Sequence, residues 1–179
     1  MLQLPQLPRT RSDITLLENS DVQATIATEH GTTPSLRGEA SFPDQNIIDE
    51  MVRLASEMLA QSGDGNNHTV AASLYADDGA IYSGVNLYHF TGGPCAEIVA
   101  LARLASDGGG AKPLAIVAVA DRERGVIAPC GRCRQILIDY CPEIQVVLKA
   151  EHGVHALPLT AMLPYVYLRA DRPEIKRIV

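Results

Sequence analysis

The sequence is poor in the residues that several common functions require. None of its 179 residues is tryptophan, two are phenylalanine and six are tyrosine, so aromatic stacking of nucleic-acid bases is disfavoured. No apolar run approaches the ~20 residues of a membrane-spanning helix. The N-terminus has no apolar segment of signal-peptide length. Basic residues do not outnumber acidic ones, and the net charge is −6. This charge argues against a nucleic-acid polymer as the main partner.

Cysteine is scarce as well, with four residues in the chain. We expect a cytoplasmic protein without a membrane partner, in which cysteines stay reduced. In such a protein, spaced cysteines indicate metal binding or catalysis before disulfides. The length suits one ordinary domain with a real core. The first 42 residues show no strong hydrophobic period and carry three prolines, which predicts an N-terminal extension or arm, with one strand-like segment at 21–30.

From Asp44 onward the hydrophobic pattern becomes regular. Apolar residues recur at three- and four-residue steps between Ile47 and Leu59, as in an amphipathic helix that Asp44 caps and Gly63 ends. Segments 68–76 and 80–87 flank an Asp-Asp-Gly turn, which predicts a β-hairpin.

Segment 114–120 is apolar throughout, as a strand covered on both faces should be, and segment 144–149 predicts another buried strand. The helix predicted between them, from about Cys130 to Pro142, makes a parallel crossover of the two strands. A further short strand is expected near 154–158. Together these elements predict an α/β sheet with helices on both faces.

Three of the four cysteines lie where helices are predicted to begin. Cys95 opens a helix that starts near Pro94, and Cys130 and Cys133, three residues apart, share one face of the next helix. The partial positive charge of a helix N-terminus favours thiolate over thiol. Two such helix starts can meet above a sheet, where three sulfurs hold one zinc ion and leave its fourth position to water, as in catalytic sites.

The fourth ligand position decides between a catalytic and a structural site. Cys141 lies eleven residues beyond Cys130, about 16 Å along a helix, which puts it out of reach of the same ion. A histidine could still close the site. The unplaced candidates are His68, His89, His152 and His155, of which His89 is nearest in sequence to Cys95.

Glu97 follows Cys95 by two residues and can face the same ion without binding it. A carboxylate there can take a proton from zinc-activated water and return it to a leaving nitrogen, as hydrolytic deamination requires. Three thiolates blunt the Lewis acidity of zinc, so we expect Arg132, between two of the ligands, to donate to a ligating sulfur. Arg124 is a second candidate for this role, and a plain surface arginine is the alternative.

The pattern Cys95-x-Glu97 followed by Pro-Cys130-x-x-Cys133 is the three-cysteine form of a zinc deaminase signature. With the segments "GVNLYHFTGGPCAEIVALA" and "RGVIAPCGRCRQILID", about residues 44 to 167 resemble the blasticidin-S deaminase branch of the cytidine deaminase superfamily. The resemblance implies a three-layer α/β/α sandwich with a mixed five-stranded sheet. It also implies one Zn²⁺ per chain on the three cysteines, Glu97 as proton carrier, a nucleoside substrate and a homotetramer.

The same resemblance suggests substrate contacts. Asn86 falls where a strand-end asparagine of the family contacts the sugar. Relatives that act on free cytidine resemble one another in an Asn-x-Glu pair, and Tyr88 occupies the Glu position here. A tyrosine offers one hydroxyl where a carboxylate accepts two hydrogen bonds, which favours blasticidin S or a similar modified cytosine nucleoside. Tyr165 and Tyr167 fall near the C-terminal aromatic segment of this branch and could close over base or sugar, with tail packing as the alternative.

We therefore expect an extension at 1–42, a zinc deaminase domain at 43–164 and a tail at 165–179 that could cover the active site. Two other functions stay open. One is deamination of cytidine, deoxycytidine or another aminated heterocycle. The other is a non-catalytic ligand-binding module with a structural zinc, against which the intact Glu97 argues, because a binding module has no need of it.

Overall fold

The computed structural model of the chain describes residues 43–167. The predicted N-terminal arm, with its strand at 21–30, and positions 168–179 of the predicted tail lie outside the described residues. The elements, in chain order, are α1 (Gln45–Ser62), β1 (Val70–Ala76), β2 (Ile81–Val85), α2 (Ala96–Asp107), β3 (Pro113–Ala120), β4 (Gly125–Ile127), α3 (Gly131–Tyr140), β5 (Gln145–Ala150), β6 (Gly153–Pro158) and a short 3₁₀ helix (Leu159–Met162).

The predicted ends of α1 are confirmed. The Asp44 carboxylate accepts a hydrogen bond from the backbone N–H of Asn46 at 3.1 Å, which satisfies one of the unpaired donors of the first turn. At the other end, the N–H of Gly63 donates to the carbonyl of Leu59. The two helices that carry cysteines begin slightly later than predicted, because Cys95 and Cys130 are the N-cap residues of α2 and α3.

The strands form one mixed sheet in the order β2-β1-β3-β5-β6, with β4 also paired to β3. The β1–β2 hairpin and the parallel pairing of β3 with β5 are confirmed. The expected count of five strands is wrong, because six strands pair in the sheet within residues 43–167. The additional strand, β4, is three residues long and pairs with the last residues of β3, whereas β5 pairs with Ala115 and Ile116.

The two faces of β3 pack against different helices, as the period of two in a strand requires. Ile116 and Ala118 belong to a buried cluster with residues of α2 and α3. The alternate residues Ala115, Val117 and Val119 belong to a second cluster with α1. The three-layer α/β/α arrangement is therefore confirmed, and it places α2 and α3, the two helices that begin at cysteines, on the same face of the sheet.

None of the helices within residues 43–167 combines the length and the apolar character that crossing a bilayer requires.

Candidate active site

The three predicted metal ligands lie together. The sulfur atoms of Cys95, Cys130 and Cys133 are all within 4.8 Å of one another, and the Cys95 and Cys130 sulfurs are 3.9 Å apart. A tetrahedral zinc ion with Zn–S distances of about 2.3 Å requires sulfurs about 3.8 Å apart. Neither N-cap cysteine uses its side chain to cap its own helix. The donor set and its spacing therefore fit one zinc ion.

Among the described residues, no histidine, carboxylate or further cysteine joins this cluster. Cys141 is the buried C-cap of α3. The ring of His68 hydrogen-bonds the carbonyl of Asn86 at 2.7 Å, and the ring of His89 contacts the hydroxyl of Thr91 at 2.6 Å. The protein thus supplies three ligands from residues 43–167, which is the arrangement of a catalytic rather than a closed structural site.

The thiols differ in their electrostatic environment. Burial raises the pKa of Cys133 and of Cys95. For Cys130, burial acts in the same direction, but the backbone N–H of Cys133 and the neighbouring thiols outweigh it and lower the pKa. The expectation that helix starts favour thiolate therefore applies to one of the three cysteines. Because the ligands must be deprotonated, metal binding by such thiols releases protons.

Glu97, the second residue of α2, is 5% exposed beside this cluster. Burial raises the pKa of its carboxyl group, while hydrogen bonds from its own backbone N–H and from the Cys133 thiol oppose this effect in part. A carboxyl group with a raised pKa suits proton transfer near neutral pH. The structure thus brings a buried carboxyl group to the place that the Cys-x-Glu spacing indicated, and its role as proton carrier stays a prediction.

In the loop between β2 and α2, backbone contacts join the two ends of residues 87–94, and we call this closure the loop neck. The N–H of Leu87 donates to the carbonyl of Pro94 at 3.0 Å. A Cβ atom at Gly93 would lie 1.7 Å from the carbonyl oxygen of Leu87, so this position accepts only glycine. This role of Gly93 was not predicted from the sequence, although the Gly-Gly-Pro-Cys pattern marks the place.

Arg132 joins this neck to α3. Its Nη1 donates to the carbonyl of Gly93 at 3.1 Å, across 39 positions of the sequence. The structure thus places one guanidinium N–H on a carbonyl oxygen, and the expected donation of Arg132 to a ligating sulfur stays a prediction. Because Arg132 lies between Cys130 and Cys133, this bond ties the segment before Cys95 to the helix that carries the other two ligands.

Arg124 is engaged elsewhere. It donates to the carboxylate of Asp121 at 2.7 Å and to its carbonyl at 3.2 Å, within the turn between β3 and β4. The structure therefore places it on Asp121, and its contact with the metal ligands stays a prediction. Arg134 donates to the carbonyls of Pro129 and Met162 and so fixes the segment before Cys130.

A cavity of about 370 Å³ opens beside the sulfurs. This volume lies in the range of small-molecule sites. Its lining residues come from the end of β2, the 87–94 loop, the start of α2 and the segment between β4 and α3, and they include Asn86, Tyr88 and Glu97. Tyr165 and Tyr167 are not among them and are 93% and 73% exposed. The closing of these two rings over a substrate stays a prediction.

Similarity to known proteins agrees with this site. A sequence model of the family described as "Cytidine and deoxycytidylate deaminase zinc-binding region" matches residues 45–149. The blasticidin-S deaminase of Bacillus cereus is 30% identical over 130 residues, which are 67% of this chain and 91% of that protein. The cytidine deaminase of Mycobacterium tuberculosis H37Rv is 34% identical over 110 residues, 60% of this chain and 79% of that protein.

Among solved structures, the cytidine deaminase of Burkholderia pseudomallei superposes with a TM-score of 0.56 at 28% identity, covering 66% of this chain and 98% of that chain. The matched family region spans the helix starts, the three clustered sulfurs and the buried glutamate. The chain therefore belongs to the cytidine and deoxycytidylate deaminase family, whose zinc-binding region it carries.

Proposed function

We propose that this protein is a zinc-dependent hydrolytic deaminase, which converts a cytosine-type nucleoside to its uracil form and releases ammonia. The favoured substrate is blasticidin S or a similar modified cytosine nucleoside. One observation carries the proposal: three sulfurs with the spacing of one tetrahedral ion lie beside a buried carboxyl group at an open cavity. Family membership and the relative named blasticidin-S deaminase support it.

Cys95, Cys130 and Cys133 would hold one zinc ion per chain. When bound, the ion would supply Lewis acidity, which lowers the pKa of water in the remaining position towards neutrality. Glu97 would carry the protons of the reaction. Hydrolysis moves one proton from water to the ring nitrogen and another to the departing amino group, and a buried carboxyl with a raised pKa can accept and return each of them.

Deamination of cytidine or deoxycytidine is the second candidate, supported by relatives that are named cytidine deaminases. Tyr88 favours the modified nucleoside. It lines the cavity at the position where relatives that act on free cytidine resemble one another in having a glutamate. An ammonia-release screen of blasticidin S, cytidine, deoxycytidine, amino-purines and pterins separates the candidates. Faster release from cytidine than from blasticidin S would reverse their order.

The role of Glu97 is tested by Glu97→Gln, measured for zinc content and for ammonia release on the same preparation. We expect one zinc per chain in the variant and a loss of turnover of ~100-fold or more, the usual contribution of a positioned acid–base group. Glu143→Gln, an exposed glutamate outside the cavity, is the matched control and keeps both properties. Near-normal ammonia release by Glu97→Gln would remove the assignment.

We also propose a cytoplasmic homotetramer in which residues 1–42 form an arm, 43–164 the deaminase domain and 165–179 the tail. The resemblance to the family supports these assignments. Sedimentation equilibrium of the full chain tests the assembly: a mass of four chains is expected, and a monomer at all concentrations would contradict it.

A further inference from the structure

The segment that follows the last strand is fastened to α3 by the side-chain amide of Gln135. Its Nε2 donates to the carbonyl of Tyr167 at 2.9 Å and to the carboxylate of Asp139 at 3.0 Å, and its Oε1 accepts from the N–H of Tyr167 at 3.2 Å. One amide thus satisfies both polar groups of the Tyr167 backbone, and the tyrosine ring takes no part in these bonds. The contact therefore holds the main chain in place, whatever side chain residue 167 carries.

Apolar packing holds the same segment along its length. Leu159 is fully buried, and its N–H donates to the carbonyl of Ile144, just before β5, at 3.0 Å. Met162, Leu163 and Val166 are partly buried against the core cluster to which α3 contributes. Residues 159–167, which we call the latched segment, are thus anchored at both ends and in between.

Arg134 connects the latched segment to a metal ligand. Its Nη1 donates to the carbonyl of Met162 at 3.2 Å and its Nε to the carbonyl of Pro129 at 2.9 Å. Because the guanidinium is planar and rigid, these bonds fix the two carbonyls relative to each other. The backbone N–H of Arg134 also donates to the carbonyl of Cys130 at 3.0 Å. Arg134 therefore holds the planar peptide groups on both sides of Cys130, which set the direction of the cysteine side chain.

Cys130 is the ligand that packing restrains least. It is exposed, whereas Cys133 is buried and Cys95 is intermediate. As the N-cap of α3, Cys130 lies at the edge of the regular helix, and its side chain makes no capping bond. Distances between a metal and its ligands tolerate deviations of only ~0.2 Å. Cys130 is therefore the ligand whose position depends most on what holds its backbone.

We propose that Arg134 is a positioning residue that orients Cys130 for metal binding, with the latched segment as its fixed point and Gln135 as the fastener of that segment. This inference rests on the proposed zinc deaminase function. It gives residues 159–167 a part in metal binding that requires no contact with the substrate.

The test is the zinc affinity of Arg134→Leu in the full chain, measured by competition with a coloured chelator. Loss of both guanidinium bonds leaves Cys130 less restrained, so we expect the affinity to fall roughly 10- to 100-fold, the usual effect of losing a residue that orients a metal ligand. Arg134→Lys keeps the charge without the rigid fork, and its affinity should lie between those of the leucine variant and the unaltered chain. Normal zinc affinity in both variants would overturn the proposal.

Two controls separate positioning from general stability. Arg103→Leu removes a guanidinium from the exposed face of α2, where it pairs with Asp107 at 2.8 Å, and this variant should bind zinc as tightly as the unaltered chain. Ile138→Val shortens a buried side chain of α3 and lowers stability without removing a polar contact of Arg134. If Ile138→Val lost as much zinc affinity as Arg134→Leu for the same loss of stability in urea, Arg134 would act through stability alone and the proposal would fail.

The part played by the latched segment is tested by combining variants. Gln135 acts through the fixed point that Arg134 uses, so Gln135→Leu should lower zinc affinity less than Arg134→Leu does. The double variant should then lose little more affinity than Arg134→Leu alone. Additive losses would show that the two residues act independently and would contradict the latch.

A measurement on the metal-free chain keeps this proposal separate from the proposed function. Hydrogen exchange of the backbone N–H of residue 134, which donates to the Cys130 carbonyl, reports the order around Cys130. We expect its protection factor to be lower in Arg134→Leu by about fivefold or more, as the loss of one hydrogen bond predicts, and unchanged in Arg103→Leu. This result would support the proposal even in a chain that releases no ammonia, and equal protection in Arg134→Leu and the unaltered chain would contradict it even in an active deaminase.

Discussion

Gly93→Ala tests the structure of the loop neck directly, because the substitution adds one carbon atom that must collide with one backbone atom. The new Cβ would lie 1.7 Å from the carbonyl oxygen of Leu87. Close carbon–oxygen contacts in proteins lie at ~3.3 Å, so the two sides of the loop neck must separate by about 1.6 Å. The obstacle is backbone, which cannot rotate away as a side chain can.

That displacement acts on the hydrogen bonds around the neck and on the metal ligand next to it. The bonds from Leu87 to Pro94 and from Arg132 to Gly93 are each worth about 1 kcal/mol, and overpacking costs about 1–3 kcal/mol. We therefore expect the free energy of unfolding to fall by about 2–4 kcal/mol. Cys95 lies two residues on, and metal ligands tolerate shifts of only ~0.2 Å, so we expect zinc affinity to fall roughly 10- to 100-fold.

Competition with a coloured chelator measures the affinity, and urea denaturation of the same protein measures the stability. Gly131→Ala is the matched control: it lies beside Cys130, its added Cβ meets nothing within 4 Å, and alanine suits a helix. We expect this control to bind zinc as tightly as the unaltered chain. If Gly93→Ala also binds zinc normally, the closed neck does not position Cys95, and the reasoning is refuted.

Two further predictions concern groups away from the cavity. Backbone N–H groups of His68, Asn66 and Asn67 lower the pKa of Asp64. Its carboxylate therefore stabilises the fold fully above its ordinary pKa of about 3.9, and this stabilisation is lost as the pH falls below that value. The free energy of unfolding lost in Asp64→Ala, measured by urea denaturation, should be larger at pH 7 than at pH 3, and an equal loss would contradict this. Burial raises the pKa of Cys141 to about 12, so iodoacetamide at pH 8 should leave this thiol unmodified until the chain is denatured. Labelling is measured by mass spectrometry, and rapid labelling of the native protein would contradict the prediction.

Most of the layer structure could be predicted from the sequence because it follows from local chemistry. The apolar run of β3 is continuous, as a strand covered on both faces must be, and Asp44 caps α1 through an interaction with a residue two positions away. The short strand β4 could not be predicted, because three residues carry no period. Its pairing with the end of β3, a few residues earlier, is seen only in the folded sheet.

The candidate site, like the fold, could be predicted only in part. The spacing of Cys95, Glu97, Cys130 and Cys133 predicted the clustered sulfurs and the buried carboxyl group. The partner of Arg132 could not be predicted, because the carbonyl of Gly93 reaches it only after two helix starts have come together. The pKa directions of the cysteines differ from a helix-dipole argument for the same reason: burial is a property of the packed molecule.

The central claim is that three sulfurs of this chain bind one cation and leave its last position to a non-protein ligand. X-ray absorption at the zinc edge of the metal-loaded protein tests this directly. We expect three sulfur neighbours at about 2.3 Å and one lighter atom without the scattering signature of an imidazole ring. Four sulfurs, or two sulfurs with imidazole nitrogen, would contradict the account.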